Sequence, residues 1–185
     1  MAKVAKWNVL DFETGGLEAK TSALCSVACV QVDEDFEEVA RYYEIIRDVP
    51  GKFLSDEALR VNGIKREEIA RGIPWEDVFT EIKNMLEGCI PVAHNAQFDF
   101  RFLKERGYPI ENAVCTMEND YKISPSTKHK LGMVYNRIFG HDFVGAHNSL
   151  DDVLATVQVL KWQVAQDPKY GEPQPINWDR FAKRW

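Results

Sequence analysis

Asp11 and Glu13 stand two residues apart at the end of the run KWNVLDFE. If that run is a strand, both side chains point to one face, because successive residues alternate. Two carboxylates so placed repel, and each raises the other's pKa unless a cation sits between them. A divalent metal relieves the conflict: magnesium prefers carboxylate and water oxygens, and Gly15-Gly16 directly afterwards leaves backbone accessible beside them. Taken alone, the pair reads first as a strand that ends in solvent with two exposed acids.

Two further clusters carry the same chemistry. In His94-Asn95-Ala96-Gln97-Phe98-Asp99 an apolar stretch, IPVA, hands over to a helical pattern, the place where α/β proteins put ligand sites. Asn95 suits a helix cap, and Asp99 falls in the first turns, where the helix dipole favours an anion. In His147-Asn148-Ser149-Leu150-Asp151-Asp152, a cap at Ser149 would put Asp152 at the third helical position, as in a capping box. Asp152 lies between Leu150 and Val153, on or near the inward stripe, whereas Asp151 looks outward. A carboxylate beside a buried face needs a partner or a metal. His147, just outside the helix, sits in a loop that can place it over a site. Each cluster alone has a capping or surface explanation. Together they can bring four carboxylates and a histidine to the carboxyl end of one sheet. Four carboxylates can hold two divalent ions roughly 3.5 to 4 Å apart, an arrangement suited to in-line displacement at phosphorus.

Elements that could position these groups follow from periodicity. Residues 6–12, 24–32 and 39–46 read as three strands of an antiparallel meander, with the acidic DEDFEE as a solvated hairpin loop. Ser55 caps a short helix ended by Asn62-Gly63, and Pro74 opens one carrying Val78, Ile82 and Met85. Residues 90–93 form a buried strand, 98–106 a helix, 114–117 an edge strand and 130–139 a helix ended by Gly140. Residues 149–165 make the clearest helix, with Leu150, Val153, Leu154, Val157, Leu160 and Val164 on one stripe. The expected class is α/β, a mixed sheet flanked by helices. Residues 1–166 form the expected domain, and DPKYGEPQP begins a proline-containing linker and Trp-rich tail over 167–185.

The 185 residues suffice for a core without a disulfide or structural metal. Cys25, Cys29, Cys89 and Cys115 form no C-x-x-C pair and read as reduced. No apolar run approaches the ~20 residues of a membrane span, and the first residues lack a signal peptide's apolar region, so a cytoplasmic protein with no membrane partner is expected. A net charge of −6 argues against a general nucleic-acid coat, which presents a basic face.

DFETGGL, HNAQFDF and HNSLDD, in this order over residues 6–165, resemble the DEDDh family of 3′→5′ exonucleases, which includes proofreading epsilon subunits and the RNase T and oligoribonuclease branches. VNGIKREEIARGIPWEDVF also resembles the family's linking helices. The resemblance implies a ribonuclease-H-like sheet. It implies that Asp11, Glu13, Asp99 and Asp152 hold two magnesium or manganese ions, Asp99 partly through water, and that His147 is the general base, with an ordinary pKa near ~6.5 that suits neutral pH. Products would be nucleoside 5′-monophosphates. Thr14 and Leu17 would contact the terminal nucleotide, and Phe98 or Phe102 would pack near a base or in the core. Gly15 departs from relatives that carry a second threonine there. His94 and His129 are not catalytic in the family pattern; His129, inside Lys128-His129-Lys130, reads as a solvated helix start or a phosphate contact.

The implied substrate is the 3′ end of single-stranded nucleic acid, DNA ahead of RNA. An RNA-trimming oligoribonuclease is the neighbouring reading, because nothing in the motifs reads a 2′-hydroxyl. A third is a proofreading subunit that docks to a polymerase. Trp178, Phe181 and Trp185 suit such an anchor, self-association, or a lid on the chain's own surface. Two bound cations would add +4 to the most acidic concavity, which reconciles a charge of −6 with a phosphate substrate.

Overall fold

Between Trp7 and Phe12 only Asp11 is not fully buried, which places this strand at the centre of a sheet covered on both faces. The computed structural model describes residues 3–145 and 148–178. From the amino terminus, β1 (Trp7–Thr14), β2 (Leu24–Val32) and β3 (Glu38–Arg47) form the antiparallel meander. Helices α1 (Asp56–Asn62) and α2 (Arg66–Arg71) and the two-residue strand β4 (Ile73–Pro74) lead into α3 (Trp75–Leu86). Then come β5 (Ile90–Ala93), α4 (Ala96–Lys104), β6 (Asn112–Cys115), α5 (Thr116–Ile123), α6 (Leu131–Phe139), α7 (Ser149–Gln166) and β7 (Gln174–Pro175).

Among the described residues the sheet has seven strands in the order β4-β3-β2-β1-β5-β6-β7. β1 runs antiparallel to β2 but parallel to β5, so the sheet changes character at the strand that carries Asp11 and Glu13. Trp7 and Val9 project to one face, against Val153, Val157 and Leu160 of α7. Leu10 and Phe12 project to the other, against Val78 and Ile82 of α3 and Phe100 and Leu103 of α4. By alternation Asp11 and Glu13 continue the row of Trp7 and Val9, beneath the start of α7. The β1–β2 register slips between Glu13 and Thr14, a bulge of the kind that re-aims side chains beside a site.

The mixed α/β class stands, and several boundaries differ from expectation. α4 begins at Ala96 rather than Phe98. The strand expected over 114–117 spans Asn112–Cys115, because Thr116 opens α5, which the pattern did not announce. Nor is it an edge: β7 pairs with it, Asn112 opposite Pro175. Pro74 precedes its helix and pairs with β3, an arrangement that needs Gly72, where a Cβ would fall 2.6 Å from the Ile45 carbonyl oxygen. The DEDFEE loop is only partly solvated, since Asp33 is buried and Phe36 stacks on Trp7. The cap of α7 is Asn148, whose Oδ1 accepts from the Leu150 N–H at 3.1 Å, so Asp152 stands one position later than a capping-box acid.

α7 ends at Gln166, where the domain boundary was expected, and the chain stays on the body after it. A 3₁₀ turn (Pro168–Gly171) docks on Trp7, whose Nε1–H donates to the Gly171 carbonyl at 2.9 Å. Trp178 lies against the core and accepts through its carbonyl from Arg101 at 3.0 Å. Phe181 and Trp185 lie outside the described residues. No helix among those described is long and apolar enough to cross a membrane.

Gly171→Ala tests this docking, because its Cβ would sit 2.9 Å from Trp7 Cζ2 and 3.0 Å from Val164 Cγ2. Overpacking of that kind costs about 1–3 kcal/mol, and should lower the urea midpoint at unchanged slope. An unchanged midpoint would show that the turn is not part of the cooperative unit.

Candidate metal centre

The carboxyl end of the central strand β1 and the first turn of α7 meet above the sheet. One carboxylate oxygen each from Asp11, Glu13 and Asp152 lies within 4.8 Å of the other two, the set with metal-binding geometry among the described residues. In a six-coordinate magnesium with ligands at ~2.1 Å, opposite oxygens lie about 4.2 Å apart and adjacent ones about 3.0 Å, so these three must draw closer to share one ion. Asp99, in the first turn of α4, is buried, and its Oδ1 accepts the Phe12 N–H at 3.1 Å. That bond ties the helix to the strand exactly where the strand carries its acids on either side of Phe12. Asp99 is therefore beside the three-oxygen group rather than within it.

The electrostatics are those of an unpaid debt. Burial first, then Asp99, Glu13 and Asp152, pushes Asp11 well above the ordinary aspartate value. Burial, then Asp152 and Asp99, pushes Glu13 up to about 8. Burial raises Asp99 to about 7 despite the stabilising Phe12 N–H. At neutral pH such a group either holds protons or takes up a cation, and its all-oxygen donor set fits a hard divalent ion.

The surrounding elements fix these groups. Ser149, in the first turn of α7, shares a 3.0 Å hydroxyl hydrogen bond with Ser26, the residue opposite Glu13 on β2. Asp151 faces away: its carboxylate packs on Gly145 (φ +89°), where a Cβ would fall 2.1 Å from Oδ2. Thr14 Oγ1 donates to the Gly16 carbonyl at 2.8 Å and closes the turn after the acids. That turn has no room for a side chain at position 15, since a Cβ there would meet the Phe53 carbonyl oxygen at 2.6 Å. Glycine at this position is thus enforced by packing.

Leu17 is 61% exposed beside the turn, and Phe53, which sequence spacing did not single out, is 59% exposed next to it. A bridge between Ser22 and Phe53 brings Phe53 to this turn, where its Cδ1 lies 3.5 Å from the place a Cβ on Gly16 would take, a long-range pairing with no local signal. Phe98 is half-buried and meets Phe102 edge-on at 5.3 Å. Phe102 is fully buried, so its ring belongs to the core and the expectation that it reaches a base is corrected. His147 lies outside the described residues.

Neither His94 nor His129 faces the acids. Burial lowers His94 to about 4, so it is neutral; its Nε2–H donates to the His129 carbonyl at 2.8 Å, which leaves Nδ1 to accept from the Thr116 hydroxyl at 2.8 Å. The expectation that His129 is solvated or touches phosphate is corrected. Its ring is buried against Tyr121, centroids 3.6 Å apart, and Nδ1 lies 2.5 Å from Asp120 Oδ2, while Arg137 takes the other oxygen of that carboxylate. The helix starts at Leu131, and the preceding residues fold back so that His129 reaches α5.

Known proteins resemble this chain in sequence and in fold. The family model of the RNase T exonucleases matches residues 9–160. The PolC-type DNA polymerase III of Thermotoga petrophila is 29% identical over 182 residues, covering 90% of this chain and 12% of the polymerase. That of Streptococcus suis is 31% identical over 163 residues, 84% of this chain and 11% of the polymerase. The chain thus spans about an eighth of the length of these relatives. Among solved structures, exonuclease X in complex with 5′ overhanging duplex DNA superposes with a TM-score of 0.72 at 24% identity, over 88% of this chain and 93% of that one. The nuclease domain of 3′hExo, a DEDDh family member bound to rAMP, superposes at 0.76 with 15% identity, over 91% and 96%. These likenesses place the fold among the ribonuclease-H-like exonuclease folds.

The upward shifts give a signed pH test. A raised carboxylate binds protons more tightly folded than unfolded, so its contribution to stability is full below the unfolded value and is lost as pH rises through the folded one, about 8 for Glu13. Magnesium should offset that loss. The rise in Tm on adding magnesium to EDTA-treated protein should therefore grow between pH 5 and pH 8, and shrink in Glu13→Gln. Parallel curves with and without magnesium over this range would rule out the cation site.

Proposed function

The chain belongs to the RNase T exonuclease family, and from that premise we propose that it shortens single-stranded nucleic acid from the 3′ end, DNA ahead of RNA, releasing nucleoside 5′-monophosphates. The observation that carries the proposal is the convergence of the Asp11, Glu13 and Asp152 oxygens within 4.8 Å at the end of the central strand, with Asp99 alongside. A polymer end, not its middle, suits this site: Leu17 and Phe53 offer a small apolar rim next to the acids rather than a long basic track.

In this reading Asp11, Glu13 and Asp152 hold the metal, with Asp99 completing the set partly through water. Magnesium or manganese, two ions per site, would supply the charge that activates water and stabilises the leaving 3′-oxygen. His147, five residues before Asp152, takes the proton from the attacking water as general base. Water oxygen bonds to phosphorus, the bond from phosphorus to the 3′-oxygen breaks, and the phosphate leaves on the 5′ side of the released nucleoside. Leu17, Phe53 and the backbone after Thr14 seat the terminal nucleotide. Phe98 borders that seat.

The PolC-type relatives favour DNA, and because this stretch is a minor part of each, they also support a proofreading partnership with a DNA polymerase. The fold's likeness to a domain bound to rAMP keeps RNA as the second substrate to test.

Removing a residue behind a metal ligand already costs about 10- to 100-fold, so Asp11→Asn or Asp152→Asn should lower magnesium-dependent release of nucleoside 5′-monophosphates by more than that, with the fold retained. His147→Gln should lower kcat by about 10²- to 10⁴-fold and flatten the acidic limb of its pH profile. Labelled single-stranded DNA, duplex DNA and RNA, each with magnesium and manganese, measure the substrate preference. Activity unchanged in EDTA, or undiminished in either aspartate variant, would refute the metal assignment.

A further inference from the structure

Away from the acids, Arg106 and Asp48 form an ion pair with side chains only 5% and 3% exposed. A buried ion pair is a weak source of stability, since well-packed apolar residues of similar volume often serve as well or better. This one also leaves Arg106 Nε buried without a partner among the described residues. What it does achieve is placement. Arg106 Nη2 donates to Asp48 and to the Ser22 carbonyl at 3.3 Å, and Nη1 reaches the carbonyls of Phe102 at 3.3 Å and Ala19 at 3.5 Å. Its guanidinium lies over Trp75 at 5.3 Å and Phe102 at 5.6 Å, so the fork is fixed from the core side. Asp48 in turn accepts the Leu24 N–H at 2.7 Å and the Val49 N–H at 2.8 Å.

These contacts converge on the two segments that carry the exposed rim. Ala23 N–H donates to the Phe53 carbonyl at 2.8 Å and Phe53 N–H to the Thr21 carbonyl at 2.7 Å. Gly15 N–H donates to the Ala23 carbonyl at 2.8 Å, and Ser55 N–H to the Gly15 carbonyl at 2.9 Å. Phe53 and the Gly15-Gly16 turn that leads into Leu17 therefore share one hydrogen-bonded sheetlet, and the arginine fork holds the Ala19 and Ser22 carbonyls of the segment between them. The acids are held separately, by α4 and α7 through the Phe12–Asp99 and Ser26–Ser149 bonds.

We propose that Arg106 and Asp48 are positioning residues for the terminal nucleotide: the pair sets the height of the Leu17–Phe53 rim relative to the carboxylates, and so governs substrate seating independently of metal binding. The inference rests on the exonuclease reading above. Lysine at 106 keeps the charge but loses the fork that reaches several carbonyls at once.

The test is steady-state kinetics of Arg106→Lys and Asp48→Asn on a labelled single-stranded DNA oligomer, alongside hydrolysis of bis(p-nitrophenyl) phosphate, which has no base to seat. The expected result is a KM for the oligomer raised about tenfold in each, with kcat, half-saturating magnesium and bis(p-nitrophenyl) phosphate hydrolysis within about twofold of wild type. Leu17→Ala should raise KM similarly and add nothing when combined with Arg106→Lys, because both act through the rim. Additive effects, a matching fall in kcat or magnesium affinity, or an unchanged KM in folded variants would overturn the proposal. So would failure of both variants to fold, which would make the pair a stability element. A wild-type chain without metal-dependent activity would instead refute the exonuclease reading, leaving magnesium titrations to show whether the carboxylates still bind a cation.

Discussion

Carboxylates held a few ångströms apart in a half-buried place repel one another, and the architecture of this chain is arranged around holding them there. Asp11 and Glu13 cannot avoid each other once they share a strand face, and partial burial strips both of much of their water. Asp152 and Asp99 arrive from different helices and make the conflict worse. A fold that keeps such a cluster must pin every contributor rigidly, because any freedom would let the charges separate. The pins are visible: a central strand buried on both faces, a backbone N–H from Phe12 fixing Asp99, and a serine pair fixing the start of α7.

Two largely independent layers of support follow from this. The apolar cluster around Trp7, Val9 and α7 sets the distance between Asp152 and the strand, whereas the cluster around Leu10, Phe12, α3 and α4 sets Asp99 and carries Arg106 at the end of its helix. The polar network of Asp120, His129, Arg137, His94 and Thr116 belongs to the flank, joining α5 and α6 to the end of β5. Its histidines are buried and engaged with Thr116, Asp120 and the Tyr121 ring, away from the acids.

Much of this was legible before any coordinates. D-x-E at a strand end, Asp99 after a short buried strand, and a helix whose stripe points Asp152 inward are local patterns, and local patterns survive in sequence. The strands of the meander and the stripe of α7 were legible for the same reason. What was not legible depends on distant partners. Nothing around Phe53 announces that it will stand beside the Gly15-Gly16 turn, because a bridge from Ser22 brings it there. His129 looks solvated between two lysines until α5 supplies Asp120. The short helices α2 and α5 and the two-residue strands β4 and β7 carry too few residues for a period to show, and each exists because a neighbour offers it a surface.

The last strand has a bearing on how the chain is made. β7 seals β6, yet its residues lie some sixty positions further along the chain, beyond α7. During synthesis the open backbone of β6 must wait for them while the rest of the sheet can already assemble. Unpaired strand edges are where nascent or truncated chains join one another, and β6 would be such an edge for as long as the segment after Gly171 is missing. The short strand β7 thus covers Asn112 and Ala113 of an edge that would otherwise be open to pairing, on the far side of β5 from the acids.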